Sequence, residues 1–274
     1  SHNFNIIYNI ETFYKTKMKI STFNANSIRS RLPIITDWMN EHQPNILGIQ
    51  ETKVQNVDFP ESTFKDMGYH VCYEGEKSYN GVAIISKEKP LEIISGFHDG
   101  GPQDQTRLIC AQFNNFTIVN TYIPQGRSID HIMYKYKVSW YQRLKNFLCE
   151  CLQDNKPIAW IGDMNIAVEP IDVSNPKTKK NDPCYHVDVR EAFLDTCSLG
   201  FVDLFRKFNE NKEIYSFYDY RVKDAVLKNI GWRIDYILTT KQLTEKCINC
   251  EIDIEPRKKE KPSDHTFVTA TFSD

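Results

Sequence analysis

Six short apolar runs in this chain end in, or hold, acids, amides and an imidazole. In order they are Phe23-Asn-Ala-Asn26, Ile49-Gln-Glu-Thr-Lys53, Asn120-Thr-Tyr-Ile-Pro-Gln-Gly126, Ile161-Gly-Asp-Met-Asn165, Trp232-Arg-Ile-Asp-Tyr-Ile-Leu238 and Pro262-Ser-Asp-His265. Glu51 closes the run Ile-Leu-Gly-Ile-Gln. A carboxylate in such a place costs free energy unless it is paired or metal-bound. Hard divalent cations such as Mg²⁺ take carboxylate oxygens, so Glu51 is the favoured metal ligand, and a plain pairing with Lys53 is the bland alternative. Asp163 and Asn165 stand two apart and share one face of an extended segment. Such a pair can activate a nucleophile and hold a developing oxyanion, or simply close the strand with an Asx-turn.

Asp235 lies among Ile234, Tyr236, Ile237 and Leu238, where a charge needs a partner. His265 is the natural one, because a carboxylate on one ring nitrogen fixes the tautomer and favours imidazolium. Asp264 adds a neighbouring acid. Ser-Asp-His without a nucleophile elbow makes a serine hydrolase a weak reading. Tyr122, between an apolar run and Pro124, is either a core aromatic or a phenol placed to donate a proton. A site assembled from so many strand ends needs a whole folded sheet to converge.

The pattern supplies such sheets. Strands are expected over residues 19–25, 46–50, 81–86, 107–113, 117–123, 158–162, 232–238, 248–254 and 267–272, with Asn114-Asn115 as a hairpin turn. Helices are expected over 32–42, with Pro33 in the first turn, over 134–152 with Val138, Tyr141, Leu144, Leu148 and Leu152 facing inward, and over 188–198. Residues 170–188 read as a long polar surface loop. The mixture predicts two packed mixed β-sheets flanked by helices, in one α/β domain over residues 18–274. Residues 1–17 show no periodicity and read as a poorly ordered extension or tag remnant. They hold no arginine, unlike a transit peptide.

Composition narrows the class. The 274 residues are 41% hydrophobic with a net charge of −2, so a large core is available and any nucleic-acid contact must be a local basic patch. No run reaches membrane-spanning length. Eight cysteines, including Cys149/Cys151 and Cys247/Cys250, read as reduced packing thiols, since no second pair accompanies the lone C-x-x-C at zinc spacing.

Taken together, the six motifs resemble the exonuclease III family of apurinic/apyrimidinic (AP) endonucleases, within the endonuclease/exonuclease/phosphatase superfamily, from about Lys19 to Phe272. Gln50-Glu-Thr-Lys53, Lys228-Asn-Ile-Gly-Trp-Arg-Ile-Asp235 and Leu199-Gly-Phe-Val-Asp-Leu-Phe205 are similar to its DNA-repair branch. Ile171-Asp-Val-Ser-Asn-Pro-Lys177 resembles the human-type subgroup, whereas Tyr122-Ile-Pro-Gln-Gly126 and Phe217-Tyr-Asp-Tyr-Arg221 resemble bacterial exonuclease III. The resemblance implies a four-layer, DNase I-like sandwich with its site at one end of the sheets. It implies Mg²⁺, for which Mn²⁺ can substitute, near Glu51, Asn24 and Asp264, with Asp163 also in reach. Asp163 would orient or deprotonate water, Asn165 and His265 would stabilise the transition state, Asp235 would orient His265, and Tyr122 would support the phosphate or leaving group.

For DNA the resemblance implies a pocket of Phe217, Trp232 and Ile234 for a flipped abasic sugar. Tyr218 and Arg221, with residues 222–228, would push into the helix, and Lys53, Gln125, Arg127 and Lys177 would contact the strand. The implied partner is duplex DNA with abasic sites or 3′ ends, bound by a monomer without a membrane. The implied location is the cytoplasm of a bacterium, or the nucleus or mitochondrion of a eukaryote. Two departures stand out: Ser27 where the family has glycine, and Phe217 where bacterial exonuclease III has tryptophan. The rival readings are a phosphatase or phosphodiesterase acting on small phosphate esters or lipids, and a catalytically dead DNA-binding protein.

Overall fold

Parallel strands need a crossover, and a helix is the usual one; this chain uses it twice, and the two crossovers set the architecture. The computed structural model describes residues 17–273. In chain order, β1 (Met18–Asn24) passes through α1 (Ile28–His42) to β2 (Ile46–Gln50). After α2 (Glu61–Asp66) come β3 (His70–Glu74), β4 (Val82–Ser86), β5 (Glu92–Ser95), β6 (Leu108–Gln112) and β7 (Thr117–Tyr122). The second crossover, α3 (Ile132–Cys151), leads to β8 (Ile158–Asp163). Then follow α4 (Val187–Cys197), β9 (Val202–Asp203), α5 (Leu204–Phe208), β10 (Asp235–Thr239), α6 (Lys241–Lys246), β11 (Cys247–Asp253) and β12 (Phe267–Phe272).

Two six-stranded sheets result, ordered β11-β12-β1-β2-β4-β3 and β5-β6-β7-β8-β10-β9. Only β1/β2 and β7/β8 pair in parallel; the other ladders are antiparallel. The central strands β2, β4, β8 and β10 are buried throughout. Ile20, Ile84, Ile109, Ile118, Ile161, Ile237 and Val268 form a core between the sheets. Outside the second sheet, Val119, Trp160 and Tyr236 meet Trp140, Tyr141, Leu144 and Phe193 of α3 and α4. Outside the first, Phe23, Leu47 and Phe267 meet Ile35, Trp38 and Met39 of α1; Phe267 stacks on both Phe23 and Trp38 at 4.0 Å. The layers are therefore helix, sheet, sheet, helix, as the sequence predicts.

The inter-sheet core is not wholly apolar. Asn120 on β7 donates to the carbonyls of Ile49 (3.0 Å) and Ala83 (2.8 Å) across the sandwich. It accepts from Gln50 Nε2 at 2.6 Å. Gly48 makes room for this bridge: a Cβ there would lie 2.6 Å from Ile161 Cδ1 and 3.2 Å from Asn120 Cγ.

Several expectations need correction. Helix α1 starts at Ile28, so Pro33 lies in its second turn and removes one ladder bond. The strand expected over 232–238 begins only at Asp235, because residues 232–234 are held by isolated bridges of Trp232 to Val173 and Phe217. The stretch 170–188 is not all surface. Asp172 is fully buried and receives Arg206 Nη2 (2.5 Å) and Arg233 Nε (2.8 Å), while Arg233 also pairs with Asp203 (2.7 Å). Strands β3 and β5 were not expected. Of the proposed N-terminal extension, residues 1–16 lie outside the described residues. All eight cysteines are free thiols, and no described helix is long and apolar enough to cross a membrane.

Replacing Asn120 by alanine removes three buried hydrogen bonds and strands their partners. It should cost about 3 kcal/mol of unfolding free energy in a urea titration; a loss below about 0.5 kcal/mol would show that the bridge carries no stability.

Candidate active site

The two parallel pairs end at the same edge of the sandwich, and their registers bring the acids together. Asn24 sits opposite Gln50, Tyr122 opposite Asp163, and Asp235 opposite Asp163. Gly162 lets β7 and β8 close up just before Asp163: its φ is +135°, and a Cβ would fall 2.0 Å from the Thr121 carbonyl. Past the strand ends the backbone turns sharply. Asn26, Glu51, Lys53 and Asn165 all have positive φ, between 44° and 54°. Asparagine tolerates this, whereas Glu51 and Lys53 are strained by about 1–3 kcal/mol each. Neighbouring backbone holds them there: Ser27 N–H donates to Glu51 O (2.8 Å), and Lys53 N–H donates to Asn80 O (2.9 Å).

His265 is the hub. Its Nδ1 lies 2.8 Å from Asp235 Oδ2, and its Nε2 lies 3.7 Å from Asp163 Oδ2. Ser263 fixes the approach, bonding Asn24 O through its hydroxyl (2.7 Å) and accepting the His265 N–H (3.2 Å). Burial works against the imidazolium, but the carboxylates of Asp235 and Asp163 outweigh it and push the His265 pKa up to about 10. Burial drives Asp163 the other way from an ordinary carboxylate, up to about 7; His265 opposes this, and the charges of Asp235 and Glu51 add to it. Burial also opposes ionisation of Glu51, yet Lys53 (2.9 Å) and the Asn24 amide hold its carboxyl below the usual value. Tyr122 is kept a phenol by burial and by the charges of Glu51 and Asp163.

One side-chain atom each of Glu51, Asp163 and His265 lies within 4.8 Å of the others; His265, held as imidazolium, has no lone pair for a metal, which leaves the two carboxylates. Two carboxylates so close, one of them resisting ionisation, form a donor set that a hard divalent cation fits. Of the four expected ligands the structure gathers Glu51 and Asp163. Asn24 differs: its Nδ2 donates to Glu51 Oε1 and to Asp163 Oδ2, both at 2.9 Å, while its oxygen accepts the Asn26 N–H. It presents the wrong end for a metal and instead bridges two acids from different sheets. Asp264 is turned to the Asn26 amide (3.1 Å) and lies outside the group of three.

Asn165 does form the Asx contact, its N–H on Asp163 Oδ1 (2.9 Å), and its amide donates to Ile123 O (2.8 Å). Phe217 and Trp232 are half-buried bridge partners, and the Phe217 ring lies 4.9 Å from that of His265. Ile234 is buried at 4% exposure, its N–H bonded to the Ser216 hydroxyl. Gln125, Arg127 and Lys177 are exposed, while Lys53 is tied to Glu51 and Asn26. Tyr218 does not protrude: it is 2% exposed, packed with Tyr215 and Ala225, so its expected insertion into DNA is not supported. Arg221 is exposed and paired with Asp219. One group escaped the sequence reading: Arg107 covers the Tyr122 ring at 4.7 Å and donates to the Tyr122 carbonyl. Lys179, in the lysine-rich stretch that begins at Lys177, lies 5.4 Å over Trp232.

Acids, an amide and a buried imidazolium at one end of paired sheets define a phosphodiester hydrolase. The chain belongs to the Endonuclease/Exonuclease/phosphatase family, which residues 21–265 match, and to its DNA-repair nucleases. Exodeoxyribonuclease III of Haemophilus influenzae is 33% identical over 93% of this chain and 100% of that one. An AP endonuclease from Archaeoglobus fulgidus is 49% identical, with a TM-score of 0.91 over 93% of this chain and 99% of that one. A 3′-5′ exonuclease from Neisseria meningitidis is 32% identical, also with a TM-score of 0.91, over 94% and 100%.

A folded-state pKa raised from 6.5 to about 10 contributes stability that is complete below pH 6.5 and lost as the pH rises through about 10. By NMR titration the His265 ring should stay protonated between about pH 6 and 8, and Asp235→Asn should lower its midpoint by about one unit or more. An unmoved midpoint in the variant would mean that Asp235 does not hold the proton on the ring.

Proposed function

We propose that this enzyme uses Mg²⁺ to hydrolyse the phosphodiester 5′ to an abasic site in duplex DNA, leaving a 3′-hydroxyl and a 5′-deoxyribose phosphate. Trimming of 3′-blocking groups and 3′→5′ exonuclease action belong to the same reading. The observation that carries it is the Asp235–His265–Asp163 chain, buried against the half-open Phe217–Trp232 pair. A ring pair beside the hydrolytic groups suits a sugar without its base and rejects one that keeps it.

The residues divide the work. Asp163, with its pKa near neutrality, takes a proton from attacking water at Oδ2. His265 is already charged, so it offsets negative charge building on the phosphate oxygens without reorganising. Asp235 keeps that ring oriented. Asn165 has a second amide N–H left for a phosphate oxygen, and the Tyr122 phenol donates to the phosphate or leaving oxygen. Glu51 and Asp163 would hold Mg²⁺, or Mn²⁺ in its place, which when bound supplies Lewis-acid stabilisation of the phosphate. Gln125, Arg127 and Lys177 are exposed and Lys179 lies over Trp232; as contacts to the DNA strand they would make binding weaken with salt.

A labelled duplex carrying one tetrahydrofuran abasic analogue tests the reading. Wild type with Mg²⁺ should cut immediately 5′ to the analogue, EDTA should abolish cutting, and Asp163→Ala should slow single-turnover incision about 10³-fold. Digestion of intact 3′ ends alone would make the enzyme an exonuclease, and hydrolysis of small phosphate esters alone would favour the phosphatase reading.

A further inference from the structure

Lys137 is fully buried on α3, on the face that otherwise carries Tyr134, Trp140, Tyr141, Leu144 and Leu148. Its ammonium has no ion-pair partner among the described residues. Its donors instead meet backbone carbonyls of Gln125 (3.1 Å), Asn165 (2.6 Å) and Pro183 (2.7 Å), with the Cys184 thiol 3.7 Å away. These carbonyls lie on two connections: Gln125 on the one after β7, and Asn165 and Pro183 near the two ends of the long one between β8 and α4. Gly126, at φ +95°, admits the lysine stem, since a Cβ there would sit 3.2 Å from both Lys137 Cδ and Pro183 Cβ.

An ammonium out of water is costly unless all its donors are met. A methionine would fill the same space without that cost, so what the charge adds is geometry. The clamped carbonyl belongs to Asn165, whose left-handed backbone turns its N–H onto Asp163 and its amide onto Ile123. We propose that Lys137 is a positioning residue for hydrolysis: its ammonium ties the connection after β7 to both ends of the β8–α4 connection and so fixes Asn165 and Asp163 without touching the substrate. The inference rests on the reading of the site given above.

The test is a double-mutant cycle of Lys137→Met and Asn165→Ala, read as single-turnover incision of the abasic duplex, with DNA affinity and thermal melting measured alongside. Lys137→Met should slow incision about 10–100-fold with DNA affinity essentially unchanged at a temperature well below melting. Added to Asn165→Ala it should cost little more, because both changes disable one unit. Rates that fall independently and multiply, or a loss confined to DNA affinity, would overturn the inference. If Lys137→Met does not melt cooperatively, Lys137→Gln, which keeps two N–H donors, takes its place in the cycle under the same criteria. If Asn165→Ala alone leaves incision unchanged, the reading of the site falls, and this inference with it.

Discussion

One buried imidazolium facing buried carboxylates is the interaction on which the rest depends. Asp163 lies inside the protein near Glu51 and Asp235, and burial together with the charges of those two neighbours makes its carboxyl resist ionisation. His265 makes the arrangement tenable by pairing Asp235 directly and facing Asp163. Asn24 completes it from the other sheet, with an N–H for Glu51 and one for Asp163. The two sheets must therefore end level with each other, and the parallel registers of β1/β2 and β7/β8, with Asn120 bridging behind, make them do so.

The same balance explains why the site is strained yet ordered. Left-handed conformations at Glu51 and Lys53 aim two oppositely charged side chains inward from one turn. The turn is pinned on one side by the β1–α1 connection and on the other by the segment before β4. Buried Asp172, between Arg206 and Arg233, does comparable service for the aromatic pair, because Arg233 N–H bonds Asp172 O right beside Trp232. The charge pairs thus sit beside both the acids and the Phe217–Trp232 pair.

Much of this was legible in the sequence, for a physical reason. An acid at the end of a long apolar run has few ways to be tolerated, so Glu51, Asp163, Asp235 and His265 announced themselves, and buried strands such as Ile46–Gln50 and Phe267–Phe272 fell where expected. What stayed hidden depended on contacts far apart in the chain. Edge strand β3 is half-exposed and carries no clean alternation. Asn24 was recognised by position, but which end of its amide faces the acids is set by Asn26 and by the opposite sheet. Lys137, read by type, belongs on a solvated helix face; only three carbonyls, from the connections after β7 and after β8, make it a core residue. Tyr218 was expected to push into DNA, and its burial stayed hidden because its packing partners, Tyr215 and Ala225, have no periodic signature.

The most direct measurement is a crystal structure with an abasic duplex and Mn²⁺, the ion located by its anomalous scattering. The account predicts an ion on the Glu51 carboxylate, and a scissile phosphate between Asp163 and His265 with the abasic sugar against Phe217 and Trp232. An ion bound instead at Asp264 and Asn26, with the phosphate away from His265, would contradict it.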